Sequence, residues 1–184
     1  MNPVLFLVGP HGSGKSTLGR MLQSRGWKHL SVGDLGRLAR RRKFPAEIPI
    51  RLMLSIAQEK PGGLIGGQTV SLLLAQVCAW RQEAPVVVDG FPSAPNHIDQ
   101  LPPGAGIVQV SCPQDLRAQR LVARSEVTNR KWTPGLQSER DSNLDLVLAR
   151  MLDLLSCISI GNSGSMDALA NRADMLVQWS ASLS

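Results

Sequence analysis

The sequence predicts an α/β domain in which helices flank a doubly wound, five-stranded parallel sheet. Short apolar runs, beginning with VLFLV at residues 4–8, alternate along the chain with helical patterns. The runs are continuous in apolar residues, which is typical of strands buried on both faces of a parallel sheet. The glycine-rich stretch GPHGSGKST joins the first run to the first helical pattern. Together these observations predict a doubly wound domain of the P-loop NTPase class.

Five segments carry strand signals. The clearest are residues 4–8, 86–88 and 107–110, followed by MLVQ at 175–178. KHLS at 28–31 is a weaker strand, recognised because Gly26 ends the helix before it. Apolar residues at helical spacing predict further helices at 34–43, 50–60, 69–80, 113–124 and 143–158.

The spacing of these segments predicts one domain, residues 1–184, with two insertions. Three helical patterns and no strand lie between the strand runs at 28–31 and 86–88. Residues 34–80 are therefore expected to form a helical insertion over one edge of the sheet. The polar, turn-rich segment 125–141 is expected to form a short lid. The sheet and its helices then come from residues 1–33, 81–124 and 142–184.

Composition excludes several protein classes. The 184 residues are 43% hydrophobic, which is enough for one buried core. The three cysteines, Cys78, Cys112 and Cys157, are far apart and form no CxxC pair, so we expect neither a disulfide framework nor a zinc site. The absence of a leader-like segment and of a bilayer-length apolar run predicts a cytoplasmic protein without membrane contact.

Charge points to a negatively charged ligand. The net charge is +6, and fifteen of the twenty basic residues are arginine. The planar guanidinium group binds phosphate through two parallel hydrogen bonds. The composition therefore favours a nucleotide or a nucleic acid as ligand.

The stretch GPHGSGKST fulfils the phosphate-loop pattern G-x-x-x-x-G-K-[ST] between a strand and a helix. Its backbone N–H groups and the helix N-terminus are expected to bind the phosphates of ATP. Lys15 would reach the β- and γ-phosphates and the Ser16 hydroxyl would hold Mg²⁺, whereas His11 is interpreted as a spacer. The predicted ATP-binding residues of this loop are Gly9, Gly12, Ser13, Gly14, Lys15, Ser16 and Thr17.

Asp89 directly follows the run at 86–88. It is expected at the carboxyl edge of the sheet, where open α/β folds bind their ligands. A carboxylate at that position can hold Mg²⁺ or its waters, so Asp89 and Ser16 are the predicted metal residues.

In chain order, GPHGSGKST, SVGDLGR, GGLI and DGFP resemble the adenylate kinase family and, more broadly, the nucleoside monophosphate kinases. The resemblance runs from Val4 to about Arg150. It implies an ATP- and Mg²⁺-dependent phosphotransferase in which the insertion at 34–80 binds the acceptor. The arginines implied to neutralise the transferring phosphoryl group, together with Lys15, are Arg120, Arg124 and Arg150, and Arg120 is also expected to contact ATP. The residues implied for the acceptor site are Asp34, Arg37, Gly63, Leu64, Ile65 and Gly90.

Three positions depart from the family pattern, and all three fall in the acceptor site. Ser93 stands where the family's DGFPR has arginine, His97 where a glutamine reads the adenine edge, and Val32 where STGD has threonine. Loss of such contacts removes affinity and discrimination, so AMP is disfavoured as the acceptor. Ser93 and His97 remain predicted acceptor residues that favour a different acceptor.

Alternative functions stay open on the sequence alone. The acceptor is either another nucleotide or a small hydroxyl-bearing metabolite, or the protein is a nucleotide-binding switch or accessory ATPase that acts through a partner. The basic run at 40–43 leaves nucleic acid as a less favoured partner, because no aromatic residue interrupts the run to stack on bases. A monomer is favoured. Trp132 in the lid segment is a candidate cover for the donor base, and either Glu139 or Arg140 occupies the family's lid-arginine position.

Overall fold

A computed structural model describes residues 1–128, 139–152 and 156–183. Five parallel strands form one sheet in the order β2-β3-β1-β4-β5. The strands are β1 (Val4–Val8), β2 (Lys28–Ser31), β3 (Val86–Asp89), β4 (Ala105–Ser111) and β5 (Ser156–Gly161). The helices are α1 (Lys15–Gln23), α2 (Val32–Arg40), α3 (Ile50–Gln58), α4 (Gly67–Trp80), α5 (Gln114–Val127), α6 (Glu139–Ser142), α7 (Leu144–Leu152) and α8 (Met166–Ser180). The predicted doubly wound α/β fold is confirmed.

The central strand β1 is buried on both faces, as its continuous apolar sequence predicts. All five of its residues are buried. Val4 and Phe6 face the core under α2, α3 and α4, whereas Leu5 and Leu7 face the core under α1 and α8. Successive side chains of a strand point to opposite faces, so a strand covered on both sides requires apolar residues at every position. This packing places the phosphate loop at the carboxyl end of the most buried strand.

The prediction for the fifth strand is wrong. The run at 175–178 lies within α8, where the neighbouring buried residues Leu169, Ala173 and Leu176 recur at helical spacing. The strand is instead β5, which begins inside the helix predicted at 143–158, whereas α7 already ends at Leu152. A four-residue apolar run fits either a strand or one face of a helix, and only its neighbours decide between them.

Other boundaries follow the predictions with small shifts. The segment 34–80 contains α3, α4 and most of α2, and the core beneath these helices includes Leu52, Met53 and Leu73. Within the predicted lid, residues 125–127 continue α5 and residues 139–141 belong to α6, while Trp132 and the rest of the segment lie outside the described residues. The division into core, insertion and lid stays a prediction. Among the described residues, no helix is long and apolar enough to cross a membrane.

Candidate active site

A cleft of about 670 Å³ opens at the carboxyl edge of the sheet. Its walls come from the phosphate loop, the N-terminal part of α2, the loop after β3, helix α5 and the loop after β5. In open parallel α/β sheets this edge is the usual place for a ligand, since neighbouring connections diverge there. The predicted site residues that line the cleft are Gly9, Gly12, Gly14, Lys15, Ser16, Thr17, Asp34, Arg37, Asp89, Gly90, Ser93, Arg120 and Arg124.

Two glycines of the phosphate loop are required by its geometry. Gly9 has φ +146°, and a Cβ there would lie 2.2 Å from the Val110 carbonyl oxygen. Gly14 has φ +99°, and a Cβ there would lie 2.1 Å from Nδ2 of Asn162. Both backbone conformations are ones that L residues rarely adopt. The loop can therefore pass close to the Val110 backbone and the Asn162 side chain, and turn into α1, only with glycine at these positions.

Lys15 is held at the mouth of the loop. Its Nζ donates hydrogen bonds to the carbonyl oxygens of Gly9, at 2.6 Å, and Pro10, at 2.8 Å. Burial lowers the pKa of the ammonium group to about 8, although the negative charges of Asp89 and Asp141 act to raise it. A phosphate placed at this mouth would supply the negative charge that restores the protonated form.

Asp89 lies at the centre of a buried polar network. Its Oδ1 accepts hydrogen bonds from the hydroxyls of Ser16, at 3.2 Å, and Ser31, at 3.1 Å. The two residues predicted to hold Mg²⁺, Ser16 and Asp89, thus contact each other. A hydroxyl and a carboxylate form the hard oxygen donor set that Mg²⁺ prefers, so these two residues fit the ion.

His29 completes this network and was missed by the sequence analysis. Its Nε2 lies 2.7 Å from Oδ2 of Asp89, and both side chains are 6% exposed. The ring also packs against the backbone of α1 at Gly19. Nothing in the segment KHLS marks its histidine as functional, because the contact depends on the pairing of β2 with β3.

Two cations of α5 lie at the cleft. Arg120 and Arg124 both line it, one helical turn apart. Arg120 Nη1 donates to the backbone carbonyl of Asn162 at 3.0 Å, which fixes the guanidinium group beside the phosphate loop. Arg150, in contrast, does not line the cleft, and its Nη2 donates to Oδ1 of Asp99 at 2.8 Å on the surface.

The loop after β5 forms a wall that the sequence analysis did not identify. Asn162 is buried, and its Nδ2 donates to the carbonyl oxygen of Ser13 at 2.8 Å, which ties this wall to the phosphate loop. Gly164 and Ser165 also line the cleft. The available signal is the segment GNSG at 161–164, which begins at the last residue of β5. The helix predicted at 143–158 overlaps the start of β5 and so conceals this signal.

His11 is more than a spacer. Its Nδ1 lies 2.9 Å from Oδ2 of Asp141, and its backbone N–H donates to Oδ1 of the same carboxylate at 3.2 Å. Burial acts to raise the pKa of Asp141, but its interactions with His11 and the charge of Lys15 together lower the pKa below its ordinary value. This contact joins α6 to the phosphate loop across the cleft.

The predicted acceptor residues Asp34, Arg37 and Ser93 lie on α2 and on the loop after β3. Ser31 caps α2 by accepting a hydrogen bond from the N–H of Asp34 at 3.3 Å, and the Asp34 carboxylate forms an ion pair with Arg37. Both charged side chains line the cleft. The other predicted acceptor residues near α4 lie elsewhere: Ile65 is buried in the core under the insertion, and Leu64 does not line the cleft.

Ser93 and His97 form a hydrogen-bonded pair at the wall of the cleft. The N–H of Ser93 donates to Nδ1 of His97 at 3.3 Å, and the imidazole stacks on Phe91 with centroids 5.0 Å apart. Each of the two residues is 4% exposed, but only Ser93 lines the cleft. Among the described residues, the Ser93 hydroxyl has no hydrogen-bond partner. An unsatisfied buried hydroxyl costs about 1–3 kcal/mol, so a hydrogen bond from a ligand or an ordered water would be favourable here.

Comparison with known proteins supports the resemblance seen in the sequence. A family described as an AAA domain matches residues 5–144. UMP-CMP kinase 2 of Caenorhabditis elegans is 31% identical over 138 residues, which cover 68% of this chain and 69% of that protein. Adenylate kinase of Novosphingobium aromaticivorans is 28% identical over 159 residues, which cover 85% of this chain and 61% of that protein.

Solved structures share the fold. Shikimate kinase from Acinetobacter baumannii in complex with shikimate superimposes with a TM-score of 0.52 over 99% of this chain and 94% of that chain, at 20% sequence identity. The family match over residues 5–144 and the 31% identity to UMP-CMP kinase 2 show that the chain belongs to the AAA-domain P-loop proteins, as a kinase of the nucleoside monophosphate kinase-like group.

Proposed function

We propose that this protein transfers the γ-phosphoryl group of Mg²⁺-bound ATP to a small acceptor held between α2 and the loop after β3. The observation that carries the proposal is the meeting, in one cleft, of the phosphate loop, the Ser16–Asp89 pair and the two arginines of α5. The relatives named UMP-CMP kinase and adenylate kinase favour a nucleoside monophosphate as the first acceptor to test.

The residues divide the work of phosphoryl transfer among them. Backbone N–H groups of the phosphate loop and the N-terminus of α1 bind the β-phosphate, and Lys15 neutralises charge on the β- and γ-phosphates. Ser16 and Asp89 would hold Mg²⁺, which offsets negative charge on the phosphates when it is bound. Arg120 and Arg124 stabilise the equatorial oxygens of the transferring group.

No protein nucleophile is needed in this scheme. The acceptor oxygen attacks the γ-phosphorus in line with the departing oxygen of ADP, and positioning supplies most of the rate gain. Asp34 and Arg37 face the acceptor, while the buried network of His29, Ser31 and Asp89 keeps the metal carboxylate oriented.

The test is ADP release in a coupled assay containing Mg²⁺ and ATP, with acceptors added one at a time: all ribo- and deoxyribonucleoside monophosphates, and small phosphate-free hydroxyl compounds. The matched variants are Lys15→Ala and Lys28→Ala, because Lys28 lies at the amino end of β2, away from the cleft. We expect acceptor-stimulated turnover in wild type and in Lys28→Ala, and none in Lys15→Ala.

A nucleotide-dependent switch or accessory ATPase would give a different result. In that case ATP hydrolysis would depend on Lys15 but would be insensitive to every added acceptor. Loss of stimulation in Lys28→Ala as well as Lys15→Ala would also count against the proposal, because it would mean that charge outside the cleft controls turnover.

A further inference from the structure

We infer that the acceptor is a small, phosphate-free compound whose hydroxyl groups are bound by Asp34, Arg37 and Ser93. This inference rests on the proposed function and names its substrate class. It places the protein among kinases that make a phosphate monoester instead of a nucleoside diphosphate, although its curated relatives carry the names of nucleotide kinases.

The first argument is charge. Along α2 and the loop after β3, Arg37 is the only cation among the described residues that line the cleft. Its charge is matched by Asp34, which forms an ion pair with it and lines the same wall. A phosphate monoester carries between one and two negative charges near neutral pH, and the Asp34–Arg37 pair offers it no net positive charge on this wall. An ion pair instead offers both a hydrogen-bond acceptor and a donor, which is what neutral or singly charged polyols require.

The second argument is the unpartnered hydroxyl of Ser93. The residue is 4% exposed and lines the cleft, yet its Oγ has no partner among the described residues. Its backbone N–H donates to Nδ1 of His97, which holds Ser93 at the cleft wall. Because a serine hydroxyl turns about one bond and both donates and accepts, it suits a hydroxyl group of a ligand.

The third argument is placement. Ser31 and Asp89 are register partners on the adjacent parallel strands β2 and β3. Asp34 lies three residues after Ser31, and Ser93 lies four residues after Asp89. Both residues therefore lie beyond the carboxyl ends of these strands, at the same edge of the sheet. A compound between these loops is therefore on the acceptor side of the phosphate loop.

The chemical step balances with groups already named. The acceptor hydroxyl oxygen forms a bond to the γ-phosphorus of ATP as the bond from that phosphorus to the ADP oxygen breaks. The hydroxyl proton passes to the Asp34 carboxylate, and the products are ADP and a phosphate monoester. Asp34 is a catalytic residue in this step, and Ser93 binds a second hydroxyl of the acceptor.

The experiment compares two panels of acceptors with Mg²⁺ and ATP, using the full chain. One panel contains phosphate-free polyols, sugars, hydroxy acids and nucleosides, and the other contains nucleoside monophosphates. ADP release gives the rate, and ³¹P NMR of the product separates a phosphate monoester from a phosphoanhydride. The inference predicts at least tenfold stimulation by a phosphate-free compound, with a monoester product and no turnover in Lys15→Ala.

Variants of the two acceptor residues test their roles. Asp34→Asn should lower kcat at least a hundredfold while leaving ATP binding intact. Ser93→Ala should raise the acceptor KM about tenfold and should unfold at the same or a higher temperature than wild type, because it removes an unpartnered buried hydroxyl. A purely structural role for Ser93 predicts the reverse, a lower unfolding temperature with an unchanged KM.

Failure of the inference is distinguishable from failure of the proposed function. Stimulation by nucleoside monophosphates alone, with an anhydride product and dependence on Lys15, would overturn the inference and leave the phosphotransferase intact. Lys15-dependent hydrolysis that neither panel stimulates would overturn both.

Discussion

Substitution of Gly19 by alanine should destabilise this protein, although the same change in a helix ordinarily stabilises. Gly19 lies within α1, and a Cβ there would lie 2.3 Å from Nε2 of His29 and 2.6 Å from its Cε1. The ring has little room to retreat, because it is 6% exposed and its Nε2 contacts Oδ2 of Asp89 at 2.7 Å. The new methyl group must therefore shift either the helix or the ring.

The magnitude follows from two opposing terms. Alanine gains about 1 kcal/mol of helix propensity over glycine. Overpacking of a well-filled interior costs about 1–3 kcal/mol. The net destabilisation is centred on about 1 kcal/mol, which lowers the unfolding midpoint by about 2–4 °C in a chain of this size.

Thermal unfolding of four variants checks this reasoning. Gly36→Ala is the matched control, because a Cβ there meets only the flexible end of Arg40 at 3.4 Å and Ile56 at 3.6 Å. It should raise the midpoint by about 2–4 °C, as the propensity term alone requires. Gly19→Ala should lower the midpoint in wild type and raise it in a His29→Ala background, where the ring is absent. A higher midpoint for Gly19→Ala with His29 in place would refute the close-approach reasoning.

Three further predictions follow from the cleft. The pKa of Asp141 is lower in the folded protein than in the unfolded chain. The contact of Asp141 with His11 therefore stabilises the protein above the ordinary carboxyl pKa of about 4, and this stability is lost as the pH falls through the lower folded pKa. In a plot of unfolding midpoint against pH, Asp141→Asn should therefore show a smaller decrease at acid pH than wild type. Asn162→Ala removes the hydrogen bond to Ser13 and should weaken ATP binding about tenfold in equilibrium titration, and an unchanged dissociation constant would mean that the phosphate loop holds its shape without it. Arg150→Ala should change kcat less than threefold in the ADP-release assay because this arginine lies outside the cleft, and a loss above tenfold would instead support the catalytic role predicted from the sequence.

Much of the nucleotide side of the cleft was predictable from sequence, because its signals are local. The loop GPHGSGKST requires glycines where the backbone turns sharply, and a buried strand before it needs apolar residues at every position. Asp89 was recognisable because it ends a run of valines, and a residue that ends a parallel strand emerges at the ligand-binding edge. These features depend on neighbours within a few residues.

The acceptor side was predicted only in part. The motifs SVGDLGR and DGFPS identified Asp34, Arg37 and Ser93, all of which line the cleft. The sequence did not show that Asp34 and Arg37 pair with each other, nor that His97 accepts a hydrogen bond from the N–H of Ser93 and does not line the cleft. Such details depend on side-chain packing, which the spacing of residues along the chain leaves open.

The sequence by itself determined the fold class, the phosphate loop and the first four strands of the sheet. Tertiary structure decided the fifth strand, because an apolar run of four residues fits a helix as well as a strand until its packing partners are known. It also decided the contacts of His29 with Asp89 and of Asn162 with Ser13, which join residues separated by 60 and 149 positions. Contacts over such separations leave no periodic signal in the chain, since only the folded sheet brings these residues to one edge.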